Sequence, residues 1–273
     1  AALFSAMLTS NEVKPLENYI LWKSMMRDNA TAHLVSWWQE AYVYFYQAFL
    51  ENDRWIQYFK GVGTTLTVTA AALLIGIALG VLVAIVRTAH DQQRAGKRNV
   101  VLGFINSICK IYVTIIRGTP MMVQLLIMGF VIMVPKTDTA TVVCGIITLG
   151  INSGAYVAEI ARSGIMSINQ GQSEAGRSLG LSFIQTMWYI VFPQAFKNIL
   201  PALGNEFIVL IKETSVAGYV ALKDITYVGN LIRSRTYEAF FPLITVAIIY
   251  LAIVMILSYF LKKLERRLRN SDH

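Results

Sequence analysis

Apolar runs long enough to cross a bilayer alternate with short polar segments through most of this chain. About 20 mostly apolar residues cross the roughly 30 Å of hydrocarbon in a membrane. Residues 63–86, GTTLTVTAAALLIGIALGVLVAIV, meet that length without a charge. Residues 240–261 do the same, and residues 139–160 carry one acid, Glu159, near their end. Two further regions are apolar but interrupted: 100–134 by Lys110 and Arg117-Gly118-Thr119-Pro120, and 183–211 by Pro193, Pro201 and Glu206. The pattern predicts an all-α integral membrane protein with five spans, at 63–86, 112–134, 139–162, 185–211 and 240–262. It divides the chain into a five-helix membrane domain at 61–270 and an N-terminal extension at 1–60.

Within that extension, residues 34–50, LVSWWQEAYVYFYQAFL, are dense in Trp and Tyr and include Glu40. Aromatic rings with a polar edge favour the half-wet membrane interface, so this stretch reads as an interfacial helix; a sixth span is the rival reading. Residues 1–10 lack a basic segment followed by an apolar core, so no secretory leader is expected there.

Composition supports the membrane assignment. Hydrophobic residues make up 55% of the 273 positions and charged residues 15%, against about a quarter charged in soluble domains. The net charge of +8 does not read as a nucleic-acid surface, because the basic residues stand beside the apolar runs. Arg87, Arg94, Lys97 and Arg98 follow the first span, and Lys262, Lys263, Arg266, Arg267 and Arg269 follow the last. Positive flanks mark the cytoplasmic side. With five spans, the N-terminus then lies outside, the C-terminus and segment 163–184 inside, and the 135–138 loop with Lys136 outside. Cys109 and Cys144 lie in apolar segments without metal or redox spacing and read as small apolar fillers. The histidines, His33, His90 and His273, are scattered, and no metal site is expected.

Small residues four apart let helices approach closely in lipid. Gly76 with Gly80 and Gly150 with Gly154 have that spacing, which fits either packing within one subunit or a seam between two copies.

The segment 163–184 carries the most specific pattern. Ala175 and Leu179 are four apart, as in a short helix, and Gly180 followed by Leu181 is placed to end it in a left-handed turn. Ser182 with Gln185 three residues on forms a capping box that starts the next helix. A plain loop does not need such a helix; a loop that transmits force to a partner does.

This segment resembles the cytoplasmic signature of ABC importer permeases. Glu174-Ala175-Gly176, Gly180 and Ile190-Val191-Phe192-Pro193 stand in register with it, departing at Gly176, where the family has Ala, and at Phe192, where it has Leu. Gly176 is expected to loosen the short helix, since Gly costs about 1 kcal/mol against Ala in a helix interior. Other motifs are similar to the polar amino-acid branch of that family, the histidine, glutamine, arginine and opine type. They are Arg117-Gly118-Thr119-Pro120 with Gln124-Leu125; Gly154-Ala155-Tyr156-Val157-Ala158-Glu159-Ile160 with Arg162; Gly171-Gln172; Pro193-Gln194-Ala195; Leu200-Pro201; Asn205; and Lys212-Glu213-Thr214-Ser215. The resemblance runs from about Gly63 to Arg267. It implies a five-helix core that pairs with a second permease copy, identical or not, in a bacterial inner membrane. It also implies a dimer of ABC ATPase subunits docked on the short helix, and a binding protein that delivers the amino acid from outside. This chain would be non-catalytic and hold no cofactor, with ATP and Mg in the ATPase partners. Gly171, Glu174, Ala175 and Gly180 are the expected coupling residues.

Candidate pathway residues are Thr119, Gln124, Asn152, Tyr156, Glu159 and Glu206. Asn152, Tyr156 and Glu159 are spaced by four and three and share one helix face. An acid at membrane depth must meet protein or water. Glu159 therefore either meets solute or pairs with Arg162 or Lys212. Thr119-Pro120 reads as a helix start, with Thr as cap and Pro in the first turn. It fits either an amide end aimed at a substrate carboxylate or a kink. Glu206, Lys212 and Glu213 suit either a zwitterion or a mutual ion-pair network. Among rival functions, an ion-driven secondary transporter would call for an internal repeat, and an intramembrane enzyme for a catalytic pair; neither is seen. The same architecture serving another small solute, such as an opine or polyamine, is the nearest alternative.

Overall fold

The computed structural model describes residues 15–28, 30–93 and 99–270, and every regular element among them is helical. Arg94, Lys97 and Arg98 of the first basic flank, and the first fourteen residues of the extension, lie outside the described residues.

The extension is a helical hairpin. Helix α1 (Pro15–Arg27) packs on α2 (Trp37–Phe49), which starts at a capping box between Ser36 and Gln39. Rings join the two: Tyr19 stacks on Tyr46 at 4.2 Å, and Trp22 meets Trp38 and Tyr42 edge-on at 5.3 and 5.4 Å. Lys23 donates to the Glu51 carboxylate at 2.7 Å, and Arg54 pairs with the same acid at 2.9 Å. Left-handed backbone at Asn52 (φ 56°) and Asp53 (φ 52°) then turns the chain into α3 (Arg54–Asp91). Residue 60, the expected boundary of the extension, lies within α3.

Helix α3 outruns the expected first span at both ends and packs along α6 (Asp138–Met166), the most buried long helix. The two glycine pairs interlock. A Cβ on Gly76 would sit 2.8 Å from Ser153 Cβ, and one on Gly80 would sit 2.6 Å from Val157 Cβ. From the other side, a Cβ on Gly150 would meet Ile75 at 2.8 Å, and one on Gly154 the Tyr112 hydroxyl at 2.8 Å. Both motifs therefore serve one intrachain seam, and no surface of theirs is left for a second copy. In lipid there is no hydrophobic drive between helices, so this close fit supplies the attraction.

The expected second span at 112–134 is corrected. Helix α4 (Val100–Gly118) begins twelve residues earlier, and the chain breaks at Thr119 (φ −116°, ψ 141°) before α5 (Met121–Ile127), which continues as a wide turn over Met128–Ile132. Proline disfavours helical backbone in the residue before it and has no N–H to donate, so the break falls there. Pro120, not Thr119, is the residue ahead of the new helix, and Thr119 does not cap it. The Thr119 hydroxyl donates instead to the Ile115 carbonyl at 2.9 Å.

Beyond α6 come α7 (Gln170–Ser178), α8 (Phe183–Thr186), a wide turn at Met187–Val191, and α9 (Phe192–Glu213). Pro193 sits in the first turn of α9, where a missing N–H costs nothing. A tight turn, Thr214–Val220, leads to α10 (Ile225–Thr236) and then to α11 (Phe240–Asn270). Helices α3, α4, α6 and α11 are long and apolar enough to cross a membrane. Helix α9, the expected fourth span, falls outside that set, as its Lys197, Glu206, Lys212 and Glu213 reduce its hydropathy. Helix α10 was not foreseen. Asp224 caps it by accepting from the Thr226 and Tyr227 N–H groups at 3.2 and 2.8 Å, and Tyr250 donates to the same carboxylate at 3.1 Å.

The central apolar core joins Val68 and Ala72 of α3, Leu125 of α5, Leu149 of α6 and Leu210 of α9 to Val220 and Leu222. A second cluster, Val83, Val113, Ala155 and Ala158, fills the α3–α4–α6 junction beyond Gly80.

Candidate functional site

Two polar groups lie side by side at the middle of α6. On one face Asn152, 2% exposed, donates from Nδ2 to Gln124 Oε1 at 3.0 Å. Gln124 in turn donates to the Ile116 carbonyl and the Thr119 hydroxyl, both at 2.8 Å. These are the carbonyl and hydroxyl of the helix break, so the amide of Gln124 partly replaces the backbone bonds that Pro120 interrupts. Asn152 Oδ1 is buried with no hydrogen-bond partner among the described residues. A cavity of about 240 Å³ opens here, lined by Ile115, Thr119, Gln124, Thr148 and Ile151. The structure thus brings Thr119, Gln124 and Asn152 together.

On the adjoining face Ser153 donates to Glu206 Oε1 at 2.9 Å, and Glu206 is 6% exposed. Of the two readings open for Glu206, Lys212 and Glu213, the ion-pair network is not seen: no ion pair joins them among the described residues. Lys212 is exposed at the end of α9, while Glu206 points inward to α6. Ser153 was missed by sequence reading, because a serine in an apolar run signals nothing until the partner helix is placed.

Tyr156, one turn on, lies under the Arg117 guanidinium, whose carbon is 5.1 Å from the ring centre. Glu159 does not continue this lining. It pairs with Arg87 of α3 and stands 4.0 Å from Arg162. Arg162 in turn holds Asp91 at 2.9 Å. The four alternate in sign across the ends of α3 and α6. The partner expected at Lys212 is replaced by Arg87, which sits at the matching depth on the helix packed against α6. Arg87 had been read only as a flank charge.

Helix α7 projects from this same end. The Asn169 side chain caps it by accepting from the Gly171 N–H at 2.8 Å. Gly180 (φ +83°) closes it, with its own N–H on the Arg177 carbonyl at 3.0 Å and the Leu181 N–H on the Gly176 carbonyl at 3.2 Å. That pair of bonds is the left-handed cap expected of a glycine there. The Ser182–Gln185 capping box follows, with Gln185 Oε1 taking the Ser182 N–H at 2.8 Å. Gly176 has a different role from the one expected. It is buried, and a Cβ there would lie 2.6 Å from Ile190 Cδ1 and 3.0 Å from Thr186 Cγ2, so its bareness seats α7 against the chain that follows. Glu174, Ala175 and Leu179 face outward, Leu179 being 82% exposed. Beside the helix an open cleft of about 370 Å³ is lined by Asp91, Gln170, Glu174, Arg177 and Thr186, so exposed Glu174 stands at its rim.

Long apolar helices around buried polar groups, with a short capped helix held out at one end, define a membrane-embedded transport subunit. Its sequence matches the model of the binding-protein-dependent transport system inner membrane component over residues 94–270, and the chain belongs to that family. It is 34% identical to the glutamine transport system permease protein GlnP of Escherichia coli (strain K12) over 213 residues, 77% of this chain and 92% of the relative. Identity to the arginine transport system permease protein ArtQ of Bacillus subtilis (strain 168) is 33% over 216 residues, 78% of this chain and 93% of the relative. The fold is also similar to a crystal structure of an amino acid ABC transporter with histidines, at TM-score 0.70 and 37% identity, covering 80% of this chain and 98% of that one. An inward-facing structure of the MetNI methionine ABC transporter, at 19% identity and TM-score 0.64, shares the fold.

Proposed function

We propose that this chain is the permease subunit of an ATP-driven importer that carries a polar amino acid handed over by an extracytoplasmic binding protein. The observation that carries the reading is α7: a short helix capped at both ends, seated by Gly176 and presenting Glu174 and Ala175 outward, in a chain of the binding-protein-dependent family. An ATPase dimer, which binds the ATP and Mg, docks on α7 at Gly171, Glu174, Ala175 and Gly180. The C-terminus and α7 then face the cytoplasm of a bacterial inner membrane, the N-terminus faces outward, and a second permease copy completes the pathway.

The solute is assigned to Thr119, Gln124, Asn152, Tyr156 and Glu206. A zwitterion leaving water needs fixed polar groups in its place, since each unsatisfied one costs several kcal/mol in hydrocarbon. Unpartnered Asn152 Oδ1 suits an ammonium donor, and Glu206, held by the Ser153 hydroxyl, retains acceptor capacity. Glu159 is a positioning residue, already engaged by arginines.

The test is uptake into liposomes holding the permease and its ATPase, with binding protein outside and ATP inside. A panel of polar amino acids, an opine and a polyamine is offered. ATP-dependent uptake of an amino acid is expected, and Glu174→Ala and Gly176→Ala should each leave the permease folded while reducing ATPase retention and uptake several-fold. Uptake that ignores ATP, or that is unchanged in both variants, removes α7 from the coupling path.

A further inference from the structure

Helix α2 is built inside out for a helix in water. Its buried side presents Gln39 and Gln47 about Val43, each under 10% exposed, while its outward side presents Trp37 at 80%, Trp38 at 51% and Phe45 at 43%. Trp37, Trp38 and Phe45 lie within about a quarter turn at helical spacing, so they form one face. Part of the hairpin's polar surface is spent internally, since Lys23 and Arg54 hold Glu51 and Arg54 also donates to the Gln47 carbonyl, while Glu40 stays exposed on α2 and accepts from the Tyr44 hydroxyl at 3.1 Å. The chain then enters α3, one of the helices long and apolar enough to cross a membrane. Trp55, Phe59, Leu66, Leu74, Val81 and Ile85 form an exposed stripe down α3, and its aromatic end is joined to α2 through the Asn52–Asp53 turn. Phe45, at the edge of that outward face, also meets Phe241 of α11 edge-on at 6.1 Å, and on its inner side α2 is fixed to the bundle by Phe49 on Tyr58 at 5.9 Å and by contacts to α10.

We propose that the α1–α2 hairpin lies in the headgroup layer of the leaflet opposite α7, with Trp37, Trp38 and Phe45 turned into lipid, and that it tethers α10 to the bilayer surface. Apolar side chains of this size gain by leaving water, and Trp adds a polar edge that suits the interface. The proposal goes beyond the transport reading and uses it only for which leaflet is meant.

Nitroxide labels at Trp37→Cys and Phe45→Cys, in a Cys109→Ser, Cys144→Ala background, test it in the intact transporter. The complex is placed in bilayers of phosphatidylethanolamine and phosphatidylglycerol. Collisions with oxygen, which concentrates in lipid, are compared with collisions with a water-soluble nickel chelate. Leu74→Cys gives the lipid reference and Glu265→Cys the water reference. The expected result is more oxygen than chelate at both α2 positions, shifted from Glu265 toward Leu74. Chelate exceeding oxygen places the face in water and overturns the proposal. Protection from both reagents shows a protein cover, a second copy or a binding protein, and also overturns it. Because depth is read without transport, failure here is separate from failure of the importer assignment.

Discussion

Helix α6 carries two polar clusters about two turns apart, and they are solved in opposite ways. Toward its end, Glu159 is shared between Arg87 and Arg162, and Arg162 also holds Asp91, so every charge has an opposite neighbour. At its middle, the Asn152 side-chain oxygen is buried without a partner among the described residues, and Glu206 meets a neutral serine. Desolvating a charge is costly and stranding one partner of a pair is worse, so the first arrangement is explained once each charge has its partner. The second leaves hydrogen-bonding capacity unused in a low-dielectric place, which stability alone would remove. That contrast fits the proposed division between a positioning cluster, next to α7, and a cluster that meets solute.

Removing the central acid should have the largest effect. Glu206→Gln keeps shape but loses a charge-assisted acceptor, so uptake should fall about 10- to 100-fold while the melting temperature of the purified complex stays near wild type. A collapse in melting temperature with uptake per folded molecule intact would erase the contrast. Arg87→Leu should behave in the reverse sense. It leaves Glu159 half-buried with only the distant Arg162, and should destabilise the permease by about 1–3 kcal/mol, less than for a fully buried pair. Uptake per folded molecule should change less than with Glu206→Gln. The double variant Arg87→Leu with Glu159→Leu should recover part of the loss, as no charge is then stranded.

A smaller effect is expected for Asn152→Leu, which deletes the amide facing Gln124. Neutral hydrogen bonds are worth about 0.5–1.5 kcal/mol, so uptake should drop about three- to tenfold, with Tyr156→Phe smaller still. Normal uptake in both would mean that this face merely packs. The smallest effect belongs to the exposed pair between Asp138 and Lys223, 2.5 Å apart. The Asp138 carboxylate raises the Lys223 pKa, chiefly through the hydrogen bond. Its contribution is therefore present below the ordinary lysine range and lost only as pH rises through the raised value. Lys223→Met should leave melting temperature and uptake at neutral pH unchanged within error, since exposed pairs are screened. A clear loss would show that this end of α6 is as dependent on charge as the other.

Elements with local signals are legible in the chain alone. Apolar run length located α3, α6 and α11, because the bilayer's thickness sets one scale for all of them. Pro120 announced a break, Gly180 a left-handed cap, and Ser182 with Gln185 a helix start, each through the backbone of its own neighbours. The partners came from packing. That Gly76 and Gly80 face Ser153 and Val157, and not another subunit, depends on which helix lies alongside. Gly176 looked like a weakness in a helix and proved to be a contact, since the cost of a Cβ is set by Ile190 fourteen positions away. Glu159 found Arg87 across 72 residues, and Ser153 found Glu206 across 53. Helix α10 is too short to stand out by run length, although Asp224 caps it locally and Ile225, Val228 and Ile232 recur at helical spacing; only packing shows that these face the core and that Tyr250 shares the cap. Propensity and hydropathy act within a few residues of themselves, whereas pairing of buried polar groups is settled by the packing that brings distant segments to the same depth.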